Sequence, residues 1–154
     1  MAQECDDSGG VVFVPAMMGL GTPAWDYGAR GTLLGLTRGS GRPQIVRAVL
    51  EGVAQRGADL VEAAEADAGH AIGVLRIDGG MSRNPTFVQA LADAARKPVE
   101  VSPVKEATTL GAGFLAGLAL GTWDDLDSIA NMWRPVDRVT PERQVDREQW
   151  RDAI

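Results

Sequence analysis

The residues best placed to do chemistry lie in one short stretch, Leu75-Arg76-Ile77-Asp78-Gly79-Gly80-Met81-Ser82-Arg83-Asn84-Pro85. An apolar run, read as a strand, ends in Asp-Gly-Gly. Three residues later Asn84 and Pro85 open a helical pattern, since Asn is among the best helix-capping residues and Pro favours the first helical position. Paired glycines let the main chain approach a ligand without side-chain hindrance. The free N–H groups of a helix start, together with the positive end of its dipole, favour anions or polar ligand edges. Strand, glycine turn and helix start are together a common place for a nucleotide to dock. Most Gly-Gly pairs after strands are simple turns, so spacing alone leaves both readings open.

Other chemistry finds little support. Cys5 is the sole cysteine, which excludes an intrachain disulfide and any cysteine-based metal site. His70 is the sole histidine and follows a helix end, where a polar loop residue is the plainer reading. Asp26 sits beside Trp25 in a glycine-rich loop, but nothing nearby supplies catalytic partners, so a structural role is expected. The net charge of -6 provides no basic field for nucleic acid or anionic lipid. The polar, acidic N-terminus is unlike a signal peptide, and the apolar stretch Ala107 to Leu120 is too short and glycine-rich to span a bilayer. A cytoplasmic location is the resulting expectation.

The elements that must position the glycine turn follow from periodicity. Ile45, Val46, Val49, Leu50, Val53, Ala54, Leu60, Val61 and Ala64 recur at helical spacing, with Pro43 near the start and Gly69 just past the end. Strands are expected at Val11 to Val14, Thr32 to Leu36, Ile72 to Ile77 and Pro98 to Val101. Helices are expected over 85–96 and Ala107 to Leu120, with a short one at Asp124 to Asn131 and a last one over 140–152. The small residues Gly111, Gly113, Ala116 and Gly117 would let the 107–120 helix approach a sheet or another helix closely. Alternating strands and helices imply parallel strands in a layered α/β domain, with ligands at the strands' carboxyl ends.

The order of these segments resembles the C-terminal domain of the FGGY family of carbohydrate kinases, its glycerol kinase branch above all. The matching residues run from Val11-Val12-Phe13-Val14-Pro15-Ala16 through Gly19-Leu20-Gly21-Thr22-Pro23, Trp25-Asp26 and Ala29-Arg30-Gly31. They continue with Gly35-Leu36-Thr37-Arg38, Ile45, Arg47-Ala48 and Leu50-Glu51, then Asp78-Gly79-Gly80 with Asn84. Glu106-Ala107-Thr108-Thr109-Leu110-Gly111-Ala112, Leu115-Ala116-Gly117-Leu118-Ala119 and the tail from Trp150 to Ile154 complete the set. Ala24 and Tyr27-Gly28 depart from the usual pattern and leave open a related polyol kinase, such as a xylulose or erythritol type.

The resemblance implies an actin-like, ribonuclease H-like fold, the C-terminal half of a two-domain sugar kinase hinged around a cleft. Residues 1–10 would form a polar N-terminal segment and 11–154 the nucleotide-binding domain. Gly80 would lie against ATP and Asn84 would contact its adenosine part, with Asp78 and Gly79 shaping the turn. Mg2+ would accompany ATP without identifiable ligands in this chain. The polyol site and catalytic aspartate belong, in this family, to sequence ahead of what is present, so glycerol or a related polyol would be met through an absent N-terminal domain. The chain therefore reads as a kinase lacking its front, unable to phosphorylate glycerol unaided. Self-association into a homo-oligomer is expected if an apolar inner face is exposed. A non-catalytic interaction domain is the alternative from another class; an actin-like transcription regulator finds no helix-turn-helix or basic patch in support.

Overall fold

The computed structural model describes residues 1–154. Helix α1 spans Arg42–Ala68 and organises the rest. Gln44 Oε1 accepts the Gly41 N–H at 3.1 Å to open it, with Pro43 in the first turn. Gly69 closes it at φ 68°, a left-handed conformation natural to glycine, and donates its N–H to Glu65 O. Strand β1 (Val12–Val14) lies directly on α1 at Gly52, where a β-carbon would overlap the Phe13 carbonyl. It pairs antiparallel with β2 (Thr32–Leu34), Phe13 opposite Leu33.

The second sheet carries the glycine turn. Strand β3 (Leu75–Ile77) runs parallel to β4 (Val99–Val101), with helix α2 (Pro85–Ala95) connecting them. Strand β5 (Asp137–Val139) returns antiparallel along β4. Helices α3 (Ala107–Ala119), α4 (Leu126–Ala130) and α5 (Glu148–Ala153) complete the chain. Val88, Leu91 and Ala92 of α2 pack with Ala54 of α1 and with Val99 and Val101 of β4 as one core. A second core joins Val14, Ala16 and Leu20 to Trp150 of α5. No helix is long and apolar enough to cross a membrane.

The layered α/β class holds, but not the uniformly parallel sheet. Only β3 and β4 run parallel, joined through α2, whereas β1–β2 and β4–β5 pair antiparallel. The β5 strand was not visible in the sequence. Its residues Asp-Arg-Val lack an apolar alternation, and ion pairing places Arg138 Nη1 2.8 Å from Glu100 Oε1. The last helix is also shorter than the 140–152 expected. Residues before it are held extended: Asp93 Oδ1 accepts the N–H groups of Glu142 (2.7 Å) and Arg143 (3.2 Å). Arg147 then plunges into the core, contacting Asp59, Glu62 and Gln55 of α1, while Trp150 Nε1 donates to Asp59 Oδ2 at 3.1 Å. The glycines of α3 do not bring it against a sheet or another helix: Gly117 meets the indole of Trp123 in the bend that follows α3, and Gly111 and Gly113 face open space. Residues 2–4 form a short 3-10 turn on α1, with Ala2 buried and Arg47 Nη1 donating to Cys5 O at 3.2 Å.

Candidate nucleotide site

The site grows from the carboxyl ends of two parallel strands. Ser102 N donates to Ile77 O at 2.8 Å, carrying the ladder one residue past β3 and β4. At that edge Asp78 Oδ2 accepts the Ala107 N–H at 3.1 Å and so caps the first turn of α3 from another part of the chain. The carboxylate favours this helix start through both hydrogen bond and dipole. Gly79 then adopts φ 83°, a conformation that a β-carbon would strain.

Gly80 differs from its neighbour. It sits at φ −62° and ψ −42°, open to any residue, and begins a 3-10 turn over Met81–Arg83. Arg83 N donates to Gly80 O at 3.4 Å and Asn84 N to Met81 O at 3.0 Å. The buried Ser82 hydroxyl locks the turn by donating to Gly79 O at 2.8 Å. Neither Gly79 nor Gly80 has another protein atom within 4 Å of where a β-carbon would stand, and neither N–H has an acceptor within the chain. The turn presents bare main chain to open space.

Asn84 divides its amide between two duties. Oδ1 accepts the N–H groups of Thr86 (3.1 Å) and Phe87 (3.3 Å), the N-cap of α2 that Asn84-Pro85 predicts. Nδ2 makes no hydrogen bond within the protein and stays available as a donor. A cavity of about 420 Å³ opens here, lined by Gly80, Arg83, Asn84, Pro85 and Thr86 on one side and by Met1–Gln3 on the other. Of the four site residues expected from the sequence, Gly80 and Asn84 line this cavity, whereas Asp78 and Gly79 hold the turn from behind.

Two features escaped the sequence reading. One is the bond from Asp78 to α3, which joins residues 29 positions apart and leaves no local signal. The other is Arg83 on the cavity wall, detectable only by noticing that three residues between Gly80 and Asn84 fit one 3-10 turn. The other chemical candidates stay local. Asp26 Oδ1 accepts from Gly28 N at 2.7 Å and Ala29 N at 3.2 Å, bracing its own loop. His70 Nδ1 lies 3.1 Å from Ala68 O at the surface. A second, polar cleft of about 310 Å³ separates α1 from α2, but Arg47 on its wall is paired with Glu51 and Asp93 is committed to backbone N–H groups.

The model of the FGGY family of carbohydrate kinases, C-terminal domain, matches residues 1–120. Glycerol kinase 2 of Thermotoga maritima is 45% identical over 159 aligned positions, covering 100% of this chain and 32% of that protein. Glycerol kinase of Dechloromonas aromatica is 46% identical with the same coverage. The crystal structure of Plasmodium falciparum glycerol kinase with ADP superposes with a TM-score of 0.82 at 39% identity, covering 99% of this chain and 30% of that one. A ligand-bound xylulose kinase from Lactobacillus acidophilus gives a TM-score of 0.75 at 30% identity, over 92% of this chain and 29% of that one. The chain thus spans about a third of the length of its curated relatives. By sequence and by fold, it belongs to the FGGY family of carbohydrate kinases and corresponds to their C-terminal domain.

Proposed function

We propose that this chain is the nucleotide-holding part of a glycerol kinase-type enzyme and that adenine nucleotide docks in the cavity lined by Gly80 and Asn84. One observation carries the reading. The Gly79-Gly80 turn exposes two unpaired N–H groups at the carboxyl end of a parallel strand, beside an unpaired Asn84 amide donor. The N–H groups suit phosphate oxygens, and Nδ2 suits an acceptor on the adenosine part. The ADP in the related Plasmodium falciparum structure is consistent with this pairing of fold and ligand.

Phosphoryl transfer to a polyol asks for more than this cavity. It needs an oriented hydroxyl, a carboxylate to take its proton, and a metal bridging the phosphates. Asp78 is the carboxylate nearest the turn in sequence, and its Oδ2 already serves the start of α3. No three His, Cys, Asp or Glu side chains gather as a metal-holding cluster. In this proposal Mg2+ would arrive with the nucleotide and supply charge neutralisation there, while glycerol and the general base would be met through the other two thirds of a kinase of this family.

Calorimetric titration with ADP tests the site, and incubation with ATP, Mg2+ and glycerol tests the division of labour. ADP binding without glycerol 3-phosphate formation is the expected result. Turnover by this chain alone would overturn the second half of the proposal, and complete indifference to ADP the first.

A further inference from the structure

Arg83 lines the same cavity as Gly80 and Asn84, and it is the only side-chain cation among the lining residues. It is exposed, takes part in none of the chain's ion pairs and makes no side-chain hydrogen bond. Most other arginines near the core are committed: Arg47 to Glu51, Arg56 and Arg147 to Asp59, Arg138 to Glu100. Arg83 thus places a guanidinium without a carboxylate partner on the cavity wall of a chain of net charge -6.

Its position follows from the turn. A 3-10 helix has three residues per turn, so positions i and i+3 eclipse one another. Gly80 caps the turn and Arg83 closes it, with Arg83 N donating to Gly80 O. Arg83 therefore rises from the same side of the turn as the bare face of Gly80. A ligand seated against Gly80 meets the Arg83 side chain one turn away. Ser82, buried and bonded to Gly79 O, fixes the backbone from which that side chain projects.

We propose that Arg83 is a nucleotide-contacting residue whose guanidinium pairs with the phosphate group bound at the Gly79-Gly80 turn. The inference rests on the nucleotide reading of that turn and adds the charge it otherwise lacks. Glycine N–H groups supply directional donors but no net positive charge. A guanidinium supplies both and matches a phosphate in bidentate geometry. Its contribution is modest because the site is open to solvent, and it weakens with salt.

The test compares Arg83→Ala, Arg83→Lys and Gly80→Val with the parent chain by calorimetry, using ADP and adenosine as separate probes. Arg83→Ala is expected to weaken ADP binding about 3- to 10-fold while leaving adenosine unchanged. Arg83→Lys should recover part of the loss, and the gap between parent and Arg83→Ala should narrow as salt rises. Because Arg83 has no partner in the fold, all Arg83 variants should melt at the parent temperature. Unchanged ADP affinity in Arg83→Ala, alongside its loss in Gly80→Val, would overturn this inference and leave the nucleotide site standing. Equal losses for adenosine and ADP would also overturn it, because they indicate stacking on the base. A parent chain that binds neither probe would remove the site and the contact together.

Discussion

Gly80 and Asn84 call for different substitutions, because the fold uses them differently. A β-carbon at Gly80 meets open space at an ordinary φ, so Gly80→Val should leave the melting temperature unchanged and abolish ADP binding by filling the approach to the turn. Calorimetry combined with a thermal melt checks both halves. Asn84→Ala is a poorer probe, because losing the Oδ1 cap of α2 costs about 1 kcal/mol of stability by itself. Asn84→Asp keeps an oxygen on the Thr86 and Phe87 N–H groups and removes only the Nδ2 donor. It should retain stability and weaken ADP binding by about 1–2 kcal/mol, the worth of one hydrogen bond, with further loss from charge repulsion. Full ADP affinity in Asn84→Asp would remove the amide from the contact set.

Elements are joined here by polar side chains as much as by apolar ones. Arg147, Asp59 and Trp150 bind α5 and the segment before it to the middle of α1, and all three are buried. Arg147→Met strands the Asp59 carboxylate away from its cation, so a loss of about 3–5 kcal/mol is expected in urea unfolding. A change below 1 kcal/mol would mean that Asp59 is rescued by Arg56, 3.3 Å away. A milder link ties the end of α1 to the loop before β4. The Lys97 ammonium, 2.7 Å from Glu65, holds the Glu65 carboxyl below its usual range of about 4.5, helped by the Ile72 N–H. A depressed carboxyl contributes stability that is present above its unfolded pKa and lost as pH falls through the lower folded value. Glu65→Gln should therefore differ most from the parent at neutral pH, and the two melting curves should converge as pH drops below about 4.5. Parallel curves over that range would show that the ion pair carries no stability.

At the scale of the molecule, only 24 of 154 residues are buried, which leaves apolar surface uncovered. Helix α3 is apolar along its length, yet only Gly117 is buried, and Leu115 is 64% exposed. All of β2 is exposed as well. Contiguous apolar surface of this kind drives association. The chain alone should self-associate as concentration rises in sedimentation velocity. Leu110→Glu with Leu115→Glu should shift it toward monomer without a change in melting temperature. A monomer at all concentrations would locate the burial of α3 elsewhere.

The amino-acid order determined those features whose cause is local. Helix α1 follows from a six-turn apolar stripe bracketed by Pro43 and Gly69, and the strand-turn-helix at Asp78 to Pro85 from glycine freedom and asparagine capping. Gly80 and Asn84 were legible as candidates for the same reason: their chemistry is read within seven residues. The antiparallel pairings, β5 and the partners of buried charges were decided by tertiary structure alone. Asp137-Arg138-Val139 is a strand because β4 offers a free edge and Glu100 a countercharge, neither of which lies nearby in sequence. Asp78 grips α3, and Arg147 reaches α1 across 88 positions, through contacts that exist only once distant segments meet. Local stereochemistry is written residue by residue, whereas burial and charge pairing depend on which segments the collapsed chain brings together.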